Sequence, residues 1–142
     1  MKKTVYDIKG RCLCGAVSYS ANGVPPYVIE CHCSQCRRQS GHRYAFVDGR
    51  ISQSAIDGED KVSWYSATED GKRGFCSICG STLFWKSDTD DFLAFTAASV
   101  DEPNELFMTN HAFASSKGCY YEINDDLPQR DDEVKPFTAM PE

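Results

Sequence analysis

The chain has 142 residues, 41% of them hydrophobic and 12% aromatic, and a formal net charge of −6. That length suits one domain with its own core and is short for two, and no apolar run approaches the roughly 20 residues a membrane-spanning helix needs. The acidic balance argues against a surface that tracks phosphates, so neither nucleic acid nor a membrane is an expected partner.

Met1-Lys2-Lys3 is followed by Thr4-Val5-Tyr6-Asp7 with no apolar stretch behind it, so a secretory leader is not expected. The expected compartment is the cytoplasm, where thiols stay reduced. Eight cysteines then read as metal ligands before disulfides.

Thr4 to Lys9 reads as a lead-in strand, and Cys12-Leu13-Cys14-Gly15 follows it. Val17 and Tyr19 alternate with small or polar neighbours, the pattern of a strand with one covered face. Asn22-Gly23-Val24-Pro25-Pro26 is a turn, after which Tyr27-Val28-Ile29-Glu30 delivers Cys31-His32-Cys33-Ser34-Gln35-Cys36-Arg37-Arg38. Ser34 to Gln39 suits one helical turn ended by Gly41. Tyr44–Val47 and Val62–Ser66 are candidate strands joined by a polar connection, Asp48 to Lys61, and Ser66 to Gly74 reads as an exposed hairpin loop. Phe75-Cys76-Ser77-Ile78-Cys79-Gly80 comes next, with a glycine suited to the positive φ of a thiolate knuckle. Ser81–Lys86 and Asp91–Val100 are the strongest strands, and His111-Ala112-Phe113-Ala114 fits either class. From Asn124 on, Asp125, Asp126, Asp131, Asp132, Glu133 and Glu142 against Arg130 and Lys135 account for −4 of the net charge. That composition reads as a mobile acidic tail over 125–142 following a single domain over 1–124. With no repeat and no long helix, the class is mainly β.

The cysteines fall into Cys12/Cys14, Cys31/Cys33/Cys36 and Cys76/Cys79, with Cys119 alone. C-x-C puts two side chains on one face of an extended segment, and C-x-x-C is a zinc-knuckle spacing. Joining the two pairs makes a closed tetrathiolate, a structural zinc site contributing on the order of 10 kcal/mol of apparent binding energy to folding. The triplet then leaves a tetrahedral ion one position short, as catalytic zinc sites do. The expected complement is two zinc ions, one structural and one catalytic. An alternative pairing, Cys33/Cys36 with Cys76/Cys79 as a zinc ribbon, would make one structural ion. Cys119 reads as a small buried side chain or a surface thiol.

Gly10-x-Cys12-x-Cys14-Gly15-x-Val17, Cys31-His32-Cys33-x-x-Cys36-Arg37, Phe75-Cys76-x-x-Cys79-Gly80-Ser81-x-Leu83 and His111-x-Phe113-x-x-Ser116-Lys117, with Asp125-Asp126-Leu127-Pro128, together resemble the GFA family, whose namesake is a glutathione-dependent formaldehyde-activating enzyme. The likeness runs from about Tyr6 to Pro128. It implies a pair of small antiparallel β-sheets pinched by a tetrathiolate zinc, the β-tent. It also implies that the outer cysteine pairs hold structural zinc and the triplet a catalytic one. The activity it implies is that of a carbon–sulfur lyase of the S-(hydroxymethyl)glutathione synthase type, acting on a small thiol such as glutathione and a small aldehyde such as formaldehyde. Members commonly carry tryptophan after the Ser-Lys motif, where this chain has Gly118-Cys119-Tyr120-Tyr121.

On that reading Cys31, Cys33 and Cys36 are the catalytic ligands, and an open position would take a thiol and lower its pKa. Arg37, Arg38 and Arg43 are candidates for binding the thiol's carboxylates. His42 and His111 are candidates for proton transfer or substrate contact, and Lys117 for a carboxylate contact. His32 alternates with the ligands and is expected to point away from the metal. Phe84, Trp85, Phe95 and Phe113 read as core. The competing reading is a non-catalytic, zinc-stabilised interaction module, and a third is redox sensing through the triplet or Cys119.

Overall fold

The structure, a computed structural model, describes residues 5–102 and 105–133. It is mainly β, with ten strands and one short helix among the described residues. Strands β1 (Tyr6–Arg11), β2 (Ser18–Val24) and β5 (Ser54–Asp57) form a small antiparallel sheet. A seven-stranded sheet contains β3 (Tyr27–Cys31), β4 (Tyr44–Gly49), β6 (Val62–Tyr65), β7 (Gly71–Cys76), β8 (Thr82–Ser87), β9 (Leu93–Thr96) and β10 (Phe107–Ala112), in the order β10-β3-β4-β9-β8-β7-β6.

Period-2 alternation decides which face is buried. Val47, Phe95 and Phe84 lie in one cross-strand row and are fully buried. Against them the small sheet places Tyr19, Ala21 and Val24, with Val17 just ahead of β2, and the two sheets share one core. Tyr19 stacks on Phe95 at 4.5 Å between centroids and meets Phe84 edge-on at 5.5 Å, while its hydroxyl is 2.7 Å from Ser99 Oγ, so the buried ring keeps a partner for its polar end. The intervening residues Phe46, Ala94, Trp85 and Arg73 point to the opposite face of the large sheet, where all four line a cavity.

Several expectations are refined. The connection from 48 to 61 contains β5 and two 3-10 turns, and β7 begins at Gly71, inside the expected hairpin loop. The strand expected over 91–100 is regular only at Leu93–Thr96 and continues as a 3-10 turn. The pairing of β10 with β3 is parallel, the exception in otherwise antiparallel sheets. His111 and Ala112 end β10, and Phe113 then adopts a left-handed φ of 52°.

The segment expected to be a mobile acidic tail is held down as far as it is described. His111 N donates to Pro128 O, Arg130 N to His111 O, Ala114 N to Arg130 O and Phe113 N to Asp132 O, all at 2.8–3.1 Å. Asp125 turns its carboxylate to His111, the other described acids of the segment are exposed, and its backbone satisfies an edge strand that would otherwise be open. Residues 134–142 of that segment, and Thr4 of the lead-in strand, lie outside the described residues. Among the described residues no helix is long and apolar enough to cross a membrane.

Candidate functional site

All eight cysteines are free thiols. Cys12 and Cys14 sit on the link from β1 to β2, and Cys76 and Cys79 on the turn from β7 to β8, so a cluster of these four joins the small sheet to the large one. Cys12 Sγ is 3.6 Å from Cys14 Sγ, and Cys14 Sγ is 3.8 Å from Cys76 Sγ. A tetrahedral zinc with bonds of about 2.3 Å has sulfur–sulfur edges of about 3.8 Å, so the donor set fits that ion. Backbone N–H groups already point at the sulfurs: Val17 to Cys12 at 3.3 Å, and Ile78 and Cys79 to Cys76 at 3.4 and 3.5 Å. Gly15 and Gly80, with φ of 83° and 78°, turn the two knuckles in the same way, each N–H returning to the carbonyl of the first cysteine.

The second cluster is Cys31, Cys33 and Cys36, whose sulfurs lie within 4.8 Å of one another. Cys31 ends β3. Cys33 caps the helix α1 (Ser34–Ser40), its Sγ accepting from Cys36 N at 3.3 Å, and Gly41, with φ of 91°, ends the helix by donating to Arg37 O. Thiols of Cys31 and Cys36 donate to Cys33 and hold its pKa far below the ordinary thiol value. The same contact, with burial, raises Cys31. For Cys36, help from the Cys31 thiol is outweighed by Cys33 and burial, so it is raised as well. The three sulfurs thus compete for negative charge, which a cation among them would relieve.

These three sulfurs open on a cavity of about 1060 Å³, whose walls include Tyr44, Phe46, Trp85, Phe92 and Phe113, with Arg73 and Arg50 as its cations and Asp70, Asp90, Asp91 and Glu133 as its acids. The row Ala112–Cys31–Tyr44 across β10, β3 and β4 delivers one edge of it. Arg73 is buried and donates from Nη2 to Cys36 Sγ at 3.6 Å and to Gln35 Oε1 at 3.4 Å.

His32 is fully buried and faces away from the sulfurs. Its Nδ1 is 2.7 Å from the Tyr121 hydroxyl and its Nε2 is 2.9 Å from His111 Nδ1, while His111 Nε2 is 2.9 Å from both oxygens of Asp125. One neutral tautomer set satisfies the chain: Tyr121 donates to His32, His32 to His111, and His111 to the carboxylate. Burial, together with His111 and Arg43, pulls His32 down to about 4. Although burial alone would raise Asp125, the bonds from His111 and the Leu127 backbone hold it below the usual carboxylate value. Glu30, His32 and His111 are close enough to share a metal, but Arg43 pairs with Glu30 and the imidazole nitrogens are already engaged.

Of the predicted site residues, the structure brings the seven cysteines into two clusters and does not form the zinc-ribbon pairing. Arg37, half-buried, and Arg38, exposed, lie on α1, and Arg43 lies between α1 and β4; all three are outside the cavity lining. His111 is buried behind the sheet with His32, and His42 is exposed and bonded to the Tyr120 hydroxyl at 2.7 Å. Lys117 donates to Tyr121 O at 2.7 Å. Cys119 is exposed and belongs to neither cluster. Trp85 and Phe113, expected in the core with Phe84 and Phe95, line the cavity instead, since Trp85 follows Phe84 on the strand and alternation turns it outward. Arg73 and Tyr44 are site residues the sequence does not point to: Tyr44 alternates with core positions on a candidate strand, whereas Arg73 falls in a segment that reads as an exposed loop.

The model of the family described as glutathione-dependent formaldehyde-activating enzyme matches residues 7–116. A Halomonas elongata protein named "Putative glutathione-dependent formaldehyde-activating enzyme" is 35% identical over 129 residues, covering 82% of this chain and 80% of that one. An uncharacterized lyase of Schizosaccharomyces pombe is 29% identical over 79 residues, covering 56% of this chain and 57% of its own. The crystal structure of a Rhodobacter sphaeroides protein superposes with a TM-score of 0.58 at 21% identity, over 85% of this chain and 98% of that one, a likeness of fold. With both cysteine clusters inside the matched span, the chain belongs to the GFA family.

Proposed function

We propose that the chain is a zinc-dependent enzyme of carbon–sulfur chemistry, joining or cleaving the adduct of a small thiol such as glutathione with formaldehyde or another small aldehyde. The observation that carries this reading is the three-thiol cluster opening on a cavity large enough for a tripeptide-sized ligand. Cys12, Cys14, Cys76 and Cys79 would hold a structural zinc, and Cys31, Cys33 and Cys36 a second. Bound by three thiolates, that second ion would supply an open position at which a thiol loses its proton at neutral pH.

The chain's own residues do the rest. Tyr44, Phe46 and Phe113 pack around the sulfurs and keep water from one side of them, while Arg73 offsets their negative charge. The cavity positions thiol and aldehyde together, which is the main catalytic contribution available here. In the reaction an S–H and a C=O become S–C–O–H: the sulfur–carbon bond forms, the carbonyl π bond breaks and oxygen takes up a proton. No oxidant is needed, and a reducing compartment, the cytoplasm, would keep the thiols available.

The test follows carbon-13 formaldehyde and glutathione by NMR exchange spectroscopy, with protein, without it, and with Cys33→Ser. Protein-dependent acceleration lost in Cys33→Ser supports the reading. Exchange at the uncatalysed rate for glutathione and for a panel of other small thiols and aldehydes, with zinc bound, rejects it.

A further inference from the structure

Arg73 stands on β7, directly opposite Trp85 of β8, on the cavity face of the large sheet. It is 7% exposed. No carboxylate of the described residues forms an ion pair with it. Burying a cation without a paired anion costs several kcal/mol, so the charge must be met by something else. The sulfur of Cys36 meets part of it, through Nη2, which also reaches Gln35. The Nε–H is enclosed and has no hydrogen-bond partner, whereas Nη1 is neither enclosed nor engaged. A guanidinium presents its donors in a fixed planar fork, so with Nη2 bound to a sulfur of the triplet, the neighbouring donors stand beside whatever that triplet receives.

We propose that Arg73 holds the substrate's oxygen: Nη1, the guanidinium nitrogen left open to the cavity, donates to the aldehyde oxygen as sulfur adds to carbon, and to the hydroxymethyl oxygen afterwards. This rests on the reading of the cavity as a thiol–aldehyde site. In the addition, the sulfur lone pair forms the S–C bond and the C=O π pair moves onto oxygen beside the guanidinium. That oxygen then takes a proton from water, and the thiol's own proton leaves to solvent. In cleavage the same donors face the oxygen as the π bond re-forms. Donors fixed where charge develops are worth most in a partly enclosed site.

The experiment compares two probes by calorimetry on zinc-containing protein. Thioacetate has an oxygen two bonds from its sulfur, as the hydroxymethyl adduct has, and ethanethiol has none. Arg73→Gln is expected to weaken thioacetate at least about tenfold, the size of one charge-assisted hydrogen bond, and ethanethiol less than about twofold. Arg73→Lys, which keeps the charge and the packing of the stem, is expected to recover part of the thioacetate affinity. Elemental analysis should give the same zinc per chain in all three proteins. Equal weakening of both probes, or none for either, in the variant that retains zinc overturns the proposal. Probe discrimination without any accelerated adduct exchange would leave Arg73 as an oxygen-binding residue and reject the thiol–aldehyde reaction. Accelerated exchange with no discrimination would reject Arg73's role alone.

Discussion

His32 Nε2 and His111 Nδ1 are 2.9 Å apart at the β10–β3 edge of the large sheet, two fully buried imidazoles in one hydrogen-bonded chain that ends on Asp125. The chain ties β3, which carries the three-thiol cluster, to β10 and to the acidic segment beyond it. It does so with His32 neutral, because burial, His111 and Arg43 pull it down to about 4.

Acid should therefore weaken the fold before the carboxylates titrate. Above about pH 6.5, His32 is neutral in both folded and unfolded chains and its contribution is complete. As pH falls, the unfolded chain takes up the proton first, so stability is lost progressively until the folded ring titrates near 4. Between about pH 7 and pH 5 the expected loss is about 2 kcal/mol. Denaturant unfolding of wild type and His32→Gln across that range isolates it, since metal–thiolate losses are common to both proteins. Parallel pH profiles for the two would contradict the assignment.

Removal of single sulfurs should separate the two clusters. Cys33→Ser is expected to lower zinc from two ions per chain to one and to leave a cooperative thermal transition, because that cluster lies at one end of β3 and α1. Cys76→Ser breaks the cluster that joins the sheets and forfeits a share of roughly 10 kcal/mol of metal-linked folding energy, so it should give a largely unfolded chain. Elemental analysis beside thermal unfolding reads both. A single zinc in the wild-type protein, unchanged after zinc is added, would end the two-ion proposal.

The knuckle geometry itself should have a small, purely backbone cost. Gly80 has φ of 78° and a Cβ built on it meets nothing within 4 Å, so Gly80→Ala changes conformation and not packing. A left-handed alanine costs about 1 kcal/mol, and a drop of that order in unfolding free energy, with zinc content unchanged, is expected. A loss of several kcal/mol would mean that the turn has to open to accept a side chain.

Metal-ligand spacing is local, which is why both cysteine clusters were legible: C-x-C and C-x-x-C are compact enough to read without a fold, and counting ligands joined Cys12/Cys14 to Cys76/Cys79. The cavity was not legible for the opposite reason. Arg73 meets Cys36 across 37 positions, and in the sheet three strands, β4, β9 and β8, stand between β3 and β7, an order set by β4 pairing with β9, a partner far along the chain. The arginines next to the triplet, Arg37 and Arg38, were attractive by proximity, yet on a short helix capped by Cys33 they fall outside the cavity. For the tail expected over 125–142, charge was the readable signal and the backbone bonds of residues 128–132 were not. Composition describes its side chains, whereas its order comes from backbone bonds to β10.

Adjacent aromatics on β8 and a neighbour on β9 test the assignment of the two sheet faces. Phe95 is fully buried, stacked on Tyr19, and its removal leaves a void in the shared core, so Phe95→Ala should cost about 3–5 kcal/mol of stability. Trp85 is larger, but it is half-buried and lines the cavity opposite Arg73. Trp85→Ala should cost less than Phe95→Ala, since the space it leaves joins the open cavity and is not a void in the core. Its main effect should be on thiol binding, where the loss of a wall exposes Arg73 and weakens each of its hydrogen bonds. Urea unfolding of both variants, with thioacetate titration of Trp85→Ala, measures the two effects separately. If Trp85→Ala proved the more destabilising of the two, the outward face of the large sheet would be a second core and not the wall of a site.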